Sequence, residues 1–271
     1  MASAHQSGCP RAHGGSRPAV VVTDLDCTLL RSDGTVSERA VAVLHEAAVD
    51  GARIVFATAR PAWSARKVLS AASGMNALLV SSNGAVVSEL DSGRVRRTRA
   101  MAPTTARAAI ATLGRDAWAA DRRNDRLLGP GWPDVLASGS ATAERVTALP
   151  DGPAILCLMV HGGPDIPPQA LDTGGDVLWT SSSPGLLEIS APGADKVSAV
   201  QWILDDIGVG WGEVVAFGDA PNDAGLLAAA SLGVAVANAC PQVLALADAV
   251  TRHHDDDGVA KWLEGICLCP A

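Results

Sequence analysis

The sequence has no tyrosine and only two phenylalanines, so any large core must rest on aliphatic residues and tryptophan. It has no CxxC pair and no Cys/His spacing of the kind that closes a zinc site. Cys9, Cys27, Cys157, Cys240, Cys267 and Cys269 are scattered instead, the pattern expected of reduced thiols in a cytoplasmic protein. No apolar run is long enough to span a bilayer without charge or turn residues. Residues 1–17 are small and polar without the apolar centre of an export signal, and a disordered tail is expected there. Positive charge is in deficit, with 21 Lys and Arg against 29 Asp and Glu and a net charge of −8. A broad nucleic-acid or anionic-membrane surface is therefore not expected, although a local site can still take an anionic small molecule.

What is present is a large apolar fraction, 48% of 271 residues, enough for one domain with an insertion or for two domains. Residues 19–23 form a short Val-rich run without alternation, the mark of a strand buried on both faces. Ser37 can cap a helix carrying Val41, Leu44 and Ala48, with Gly51 after its end. A second buried strand covers 53–58. A helix with Pro61 near its start and Gly74 beyond its end follows, then a strand ending in an Asn83-Gly84 turn. Alternating strands and helices predict a doubly wound, Rossmann-like parallel α/β sheet. The pattern then changes to a hairpin over 86–99, a helix over about 104–122, a strand near 155–162 and a second hairpin ending in LLEIS. Strand–helix alternation returns with helices begun by Lys196 and Pro221. The organisation expected is a core of residues 18–85 and 189–271, with an inserted α+β cap at 86–188.

Ligands of parallel α/β sheets bind at the carboxyl ends of the strands. Here those ends carry Asp24 and Asp26, then Thr58, then Asp219. Asn222 and Asp223 open the next helix, and Lys196 opens the helix after the insertion. Carboxylates brought this close repel one another. A hard divalent cation such as Mg²⁺, which takes oxygen ligands, offsets that repulsion. The same set suits phosphoryl transfer. One carboxylate can act as nucleophile and give an aspartyl-phosphate. A second, two residues on, can protonate the leaving oxygen and later activate water.

DLDCT, Thr58 in FATAR, Lys196 and GDAPND resemble the four ordered motifs of the haloacid dehalogenase superfamily of phosphatases. SSNGA, LLEIS, AVANA and DDDGVA resemble its Cof-type (subfamily IIB) branch, whose α+β cap lies between the second and third motifs. The resemblance implies that Asp24 is nucleophile and metal ligand. It implies that Asp26 is the general acid/base, with its carbonyl on the metal. Thr58 and Asn222 would hold the phosphoryl group, and Lys196 would neutralise it. Asp219 would bind the metal, and Asp223 would complete the metal set by orienting bound water or Lys196.

Three departures stand out. Cys27, Ala59 and Val197 occupy places where the family commonly has glycine. Cys27 is expected to be a small filler that needs no left-handed backbone. The His253-His254 pair beside Asp255, Asp256 and Asp257 is expected to be a solvated acidic turn. The tryptophans are expected mostly in the core, with Trp118 or Trp132 as candidates to face a substrate ring.

The expected activity is Mg²⁺-dependent hydrolysis of a small phosphorylated metabolite, a sugar phosphate in the first instance, by a monomer or homodimer. A phosphotransferase or mutase of the same family, or a non-catalytic sensor of phosphorylated ligands, are the alternatives. A sensor needs neither Asp24 nor Asp26. Turnover of p-nitrophenyl phosphate separates hydrolysis from sensing, and transfer to a sugar acceptor separates transferase from hydrolase.

Overall fold

A computed structural model describes residues 17–137, 143–162, 177–183 and 185–267. The expectation for the tail falls almost wholly on residues 1–16, outside the described set. In chain order the first elements are β1 (Val20–Thr23), α1 (Glu38–Val49), β2 (Arg53–Ala57), α2 (Ala62–Val68) and β3 (Leu78–Ser81). They are followed by β4 (Val86–Glu89), β5 (Val95–Thr98), α3 (Pro103–Leu113), β6 (Trp118–Asp121), β7 (Arg126–Leu128), α4 (Asp134–Ala137) and β8 (Ala143–Arg145). Next come β9 (Cys157–His161), β10 (Leu178–Ser183), β11 (Leu186–Ser190), α5 (Lys196–Ile207), β12 (Val214–Gly218) and α6 (Ala224–Ala229). The last are β13 (Leu232–Ala235), α7 (Pro241–Leu246), β14 (Ala249–Val250) and α8 (Gly258–Cys267).

The larger sheet has the order β14-β13-β12-β1-β2-β3-β4-β5 and is parallel from β14 to β3. β1 lies at its centre, between β2 and β12, with all four residues buried. That placement explains its unbroken apolar sequence, because helices cover both faces of such a sheet. Phe56 and Phe217, one on each strand beside β1, are fully buried. Each contributes about 1.5–3 kcal/mol relative to an exposed side chain.

The second sheet is six-stranded, β10-β11-β9-β6-β7-β8. One of its faces packs on α3 through Trp118, Ala120, Leu158 and Ile189. The other carries a smaller cluster of Ala119, Leu128, Trp132, Cys157 and Met159.

Three expectations need correction. The hairpin β4–β5, read from sequence as the start of the insertion, continues the larger sheet: Ser81 pairs with Val86 in an antiparallel register. The short Ser82–Gly84 turn can only return the chain to an antiparallel neighbour, since a parallel one needs a long crossover. The helix over 104–122 stops at Leu113, where Gly114 takes a left-handed conformation, φ 58°, and Trp118–Asp121 forms a central strand of the second sheet. The buried face of α1 is Ala40, Val43, Leu44 and Ala47 rather than Val41, Leu44 and Ala48. Ser37 caps it as expected, its Oγ accepting from Ala40 N at 3.0 Å. No helix among the described residues is long and apolar enough to cross a membrane.

Candidate active site

β1 delivers Asp24 to the carboxyl end of the larger sheet, where Asp24 N donates to Phe217 O on the neighbouring strand. Asp24 is buried, at 6% exposure. Lys196, the first residue of α5 and 2% exposed, places Nζ 2.7 Å from Asp24 Oδ1 and 2.6 Å from Asp223 Oδ1. Asp223 is fully buried, and its other oxygen accepts from the backbone N–H groups of Asp219 and Ala220, both at 3.1 Å. Thr28 Oγ1 donates to Asp219 Oδ1 at 2.8 Å. The structure thus gathers Asp24, Lys196, Asp219 and Asp223 from three parts of the chain.

The charges at this point do not balance. Ligand oxygens of Asp24, Asp219 and Asp223 all lie within 4.8 Å of one another, and Lys196 is the ammonium paired with them. Burial raises the Asp24 carboxyl well above its usual range; Lys196 opposes this, while Asp223 and Asp219 add to it. Burial, then Asp223, pushes Asp219 up to about 6. Lys196 is held above its usual range because the two carboxylates outweigh the effect of burial. Three carboxylates against one ammonium leave two negative charges in a cluster of oxygen donors, and that fits a hard divalent cation. The hydrogen bonds described use one oxygen of Asp24 and one of Asp219, so each keeps an oxygen for such an ion. Asp223 engages both of its own, Oδ1 with Lys196 and Oδ2 with the backbone.

Asp26 is exposed, and its carboxylate is gripped by Arg60, with Nε at 2.7 Å and Nη2 at 2.5 Å. Arg60 was in plain view in FATAR, yet an arginine after a strand carries no signal by itself. Thr58 is fully buried. Its Oγ1 accepts from Arg60 N at 3.0 Å, and its carbonyl accepts from Asn83 N at 3.0 Å. Asn222 Nδ2 donates to Asn83 Oδ1 at 3.0 Å, which ties the GDAPND segment to the turn after β3. Ser82 and Asn83 both have left-handed backbones, φ 48° and 55°, although both are buried. Such strain persists only where the surroundings enforce it. Gly84 shows the enforcement, since a Cβ there would stand 2.2 Å from Asp195 O at the start of α5.

Cys27 also departs from expectation. Its φ is 55°, in the left-handed region, so the chain places a cysteine where glycine fits without strain. Asn238 Nδ2 holds its carbonyl at 2.7 Å. The acidic turn at 255–257 is not merely solvated. Asp255 accepts from Ser32 N and Oγ, both at 2.7 Å, and Asp257 accepts from Arg31 Nε and Nη2 at 3.1 and 2.7 Å. His254 is buried with Nδ1 2.8 Å from Leu30 O. These contacts clasp the loop that follows Asp26. Of the tryptophans singled out, Trp118 and Trp132 are buried, at 3% and 4% exposure. The tryptophan that borders a cavity beside Lys196 is Trp179, on β10. Among the described cysteines, Cys27, Cys157 and Cys240 are free.

A family model described as haloacid dehalogenase-like hydrolase matches residues 21–117 and 170–263. The chain is 27% identical over 264 residues to the chloroplastic endoribonuclease YBEY of Arabidopsis thaliana, covering 89% of this chain but 45% of that protein. It is 26% identical over 240 residues to the HMP-PP phosphatase of Cronobacter sakazakii, covering 82% of this chain and 85% of that one. The fold is similar to that of SMU.1108c from Streptococcus mutans, with a TM-score of 0.84 at 21% identity over 93% of this chain and 100% of that chain.

Proposed function

The chain belongs to the haloacid dehalogenase-like hydrolases, and on that premise we propose that it is a phosphatase of a small phosphorylated metabolite that works through an aspartyl-phosphate on Asp24. The observation that carries this reading is the buried pair of Asp24 and Lys196 at the end of the central strand, with Asp219 beside it. In the first step an oxygen of Asp24 attacks phosphorus while the bond to the leaving oxygen breaks. Asp26 gives that oxygen its proton, then takes a proton from water as the water attacks the aspartyl-phosphate. Phosphate leaves and Asp24 is regenerated. Before either transfer, Asp26 must exchange its grip on Arg60 for the substrate.

Lys196 keeps Asp24 oriented and offsets the charge on the phosphoryl oxygens. Asp223 holds Lys196 in place, and Thr58 and Asn222 donate to the phosphoryl group. Asp24, Asp219 and the Asp26 carbonyl would hold Mg²⁺, which when bound supplies the positive charge that phosphoryl transfer needs. The segment between the two halves of the larger sheet acts as a mobile cap that excludes water and selects the leaving group. The sheet pairings support a cap that starts after the β4–β5 hairpin. A sugar phosphate is the substrate class we favour.

The test is turnover of p-nitrophenyl phosphate by purified protein with Mg²⁺, and by Asp24→Asn protein in parallel. Wild-type turnover that the variant lacks supports the reading. Binding of phosphorylated ligands without turnover would identify a sensor instead.

A further inference from the structure

From the end of β6 to the start of β7 the chain reads Asp121-Arg122-Arg123-Asn124-Asp125-Arg126, three guanidiniums against two carboxylates. The structure pairs two of the three. Arg122 Nε donates to Asp125 Oδ1 at 2.7 Å, and Arg126 Nη2 donates to Asp121 Oδ2 at 3.0 Å. Arg123 is exposed and has no carboxylate partner among the described residues. It stands in the wall of a separate cavity of 230 Å³, which no residue of the site around Asp24 lines.

That cavity lies where the two sheets meet. Val86 and Val95 reach it from the β4–β5 hairpin of the larger sheet, and Leu156 from the chain entering β9 of the second. Thr98 and Ala100 line it where the chain leaves the hairpin. Beside them Met101 and Ile155 exchange both backbone hydrogen bonds, at 2.8 and 2.9 Å, so the walls are tied to each other. Val86 and Leu156 are each 5% exposed and belong to the apolar cluster under α3. The cavity is thus built from packed residues and needs no ligand to form it.

We propose that this cavity is a second small-molecule site and that it takes a monocarboxylate with a compact apolar body. The inference goes beyond the phosphatase reading and does not depend on it.

The walls set the ligand class. Most are apolar side chains, which favour apolar surface brought out of water. The Arg123 guanidinium presents donors in a planar fork that matches the two oxygens of a carboxylate. The Thr98 hydroxyl offers one more donor or acceptor. Asp121 and Asp125 do not compete for Arg123, because each already holds another arginine. An organic cation would meet Arg123 and find no carboxylate in the wall. A neutral molecule of the same shape would gain nothing from the guanidinium. Sites for drug-sized ligands run to about 300–1,000 Å³. At 230 Å³ this one suits a single ring or a short branched chain.

The experiment titrates three probes into the purified protein by calorimetry. Benzoate carries ring and charge, benzamide the ring alone, and acetate the charge alone. Benzoate should bind saturably, one per chain, and at least tenfold tighter than either of the others. Arg123→Gln should weaken benzoate at least tenfold and leave benzamide unchanged. The residue is exposed, so the variant should fold, and its thermal melt should match wild type. Inorganic phosphate with Mg²⁺, the probe for the site around Asp24, should not displace benzoate. Absence of saturable benzoate binding would overturn the proposal. Equal affinity for acetate would reduce it to surface charge, and equal affinity for benzamide would remove the role of Arg123; either overturns it. Unaltered benzoate binding by folded Arg123→Gln protein would do the same. Displacement by phosphate would place benzoate beside Asp24 and would also overturn the separate site, while leaving the phosphatase reading untouched.

Discussion

Lys196 Nζ stands 2.7 Å from Asp24 Oδ1 inside the protein, with both side chains less than a tenth exposed. The same ammonium holds Asp223 at 2.6 Å, so one positive charge serves two buried carboxylates. Removing it strands both. Lys196→Met should therefore cost about 3–5 kcal/mol of stability, the usual result of breaking a buried ion pair from one side. Urea unfolding checks this, and a midpoint equal to wild type would show that the pair is not ionised as described.

Asp24→Asn keeps the size of the side chain and removes its charge. The fold should survive, because the substitution also relieves a carboxyl that burial already disfavours. Turnover should fall by at least about a thousandfold, since the nucleophile is gone. A folded variant with near-normal p-nitrophenyl phosphate turnover would remove Asp24 from this role.

Chelation should silence the enzyme, and Mg²⁺ should restore it better than Ca²⁺, which prefers a larger and less regular shell. Thr28 gives a finer test. Its hydroxyl orients Asp219 from 2.8 Å. Thr28→Val should weaken Mg²⁺ binding about 10–100-fold, as losses behind a metal ligand commonly do. Isothermal titration of Mg²⁺ into both proteins measures it.

Cys27 carries left-handed strain at φ 55°. Cys27→Gly should gain up to about 1 kcal/mol, the relief being partly offset by glycine's greater freedom when unfolded. Cys27→Val should lose stability, because a β-branched side chain tolerates this backbone least. Thermal melts that rank Val above Gly would contradict the assigned backbone.

The acid side of the stability curve should depend on Asp257. Burial pushes its carboxyl up, but the hydrogen bonds from Arg31 and Ser37 prevail and hold it below the usual 3.8. An acid depressed in the folded state stabilises above its unfolded pKa, and this is lost as pH falls through the folded value. Wild type should therefore lose stability more steeply than Asp257→Asn as pH drops below about 4, where unfolded aspartates titrate. Melting temperatures across pH 2–6 would show parallel curves if the Arg31 clasp contributed nothing.

The doubly wound core and the elements that carry the site were legible in the residue pattern. Both follow from local rules: unbroken Val-rich runs mark strands buried on two faces, and the chemistry collects at their ends. Asp24, Thr58, Lys196 and Asp219 were legible because each stands at an element boundary, where a polar residue breaks an apolar pattern. The short turn after β3 was the local signal that the β4–β5 hairpin joins the larger sheet, although its alternating residues suit either sheet, and the rest was left to tertiary structure. It alone decided that Asp223 spends both oxygens on Lys196 and the backbone, and that Arg60 rather than substrate holds Asp26. It alone brought Trp179 and Asn83 to one cavity with Lys196, although they stand 17 and 113 residues before it along the chain. Contacts of this kind arise from how two sheets pack, and the spacing of residues along a chain carries no record of that.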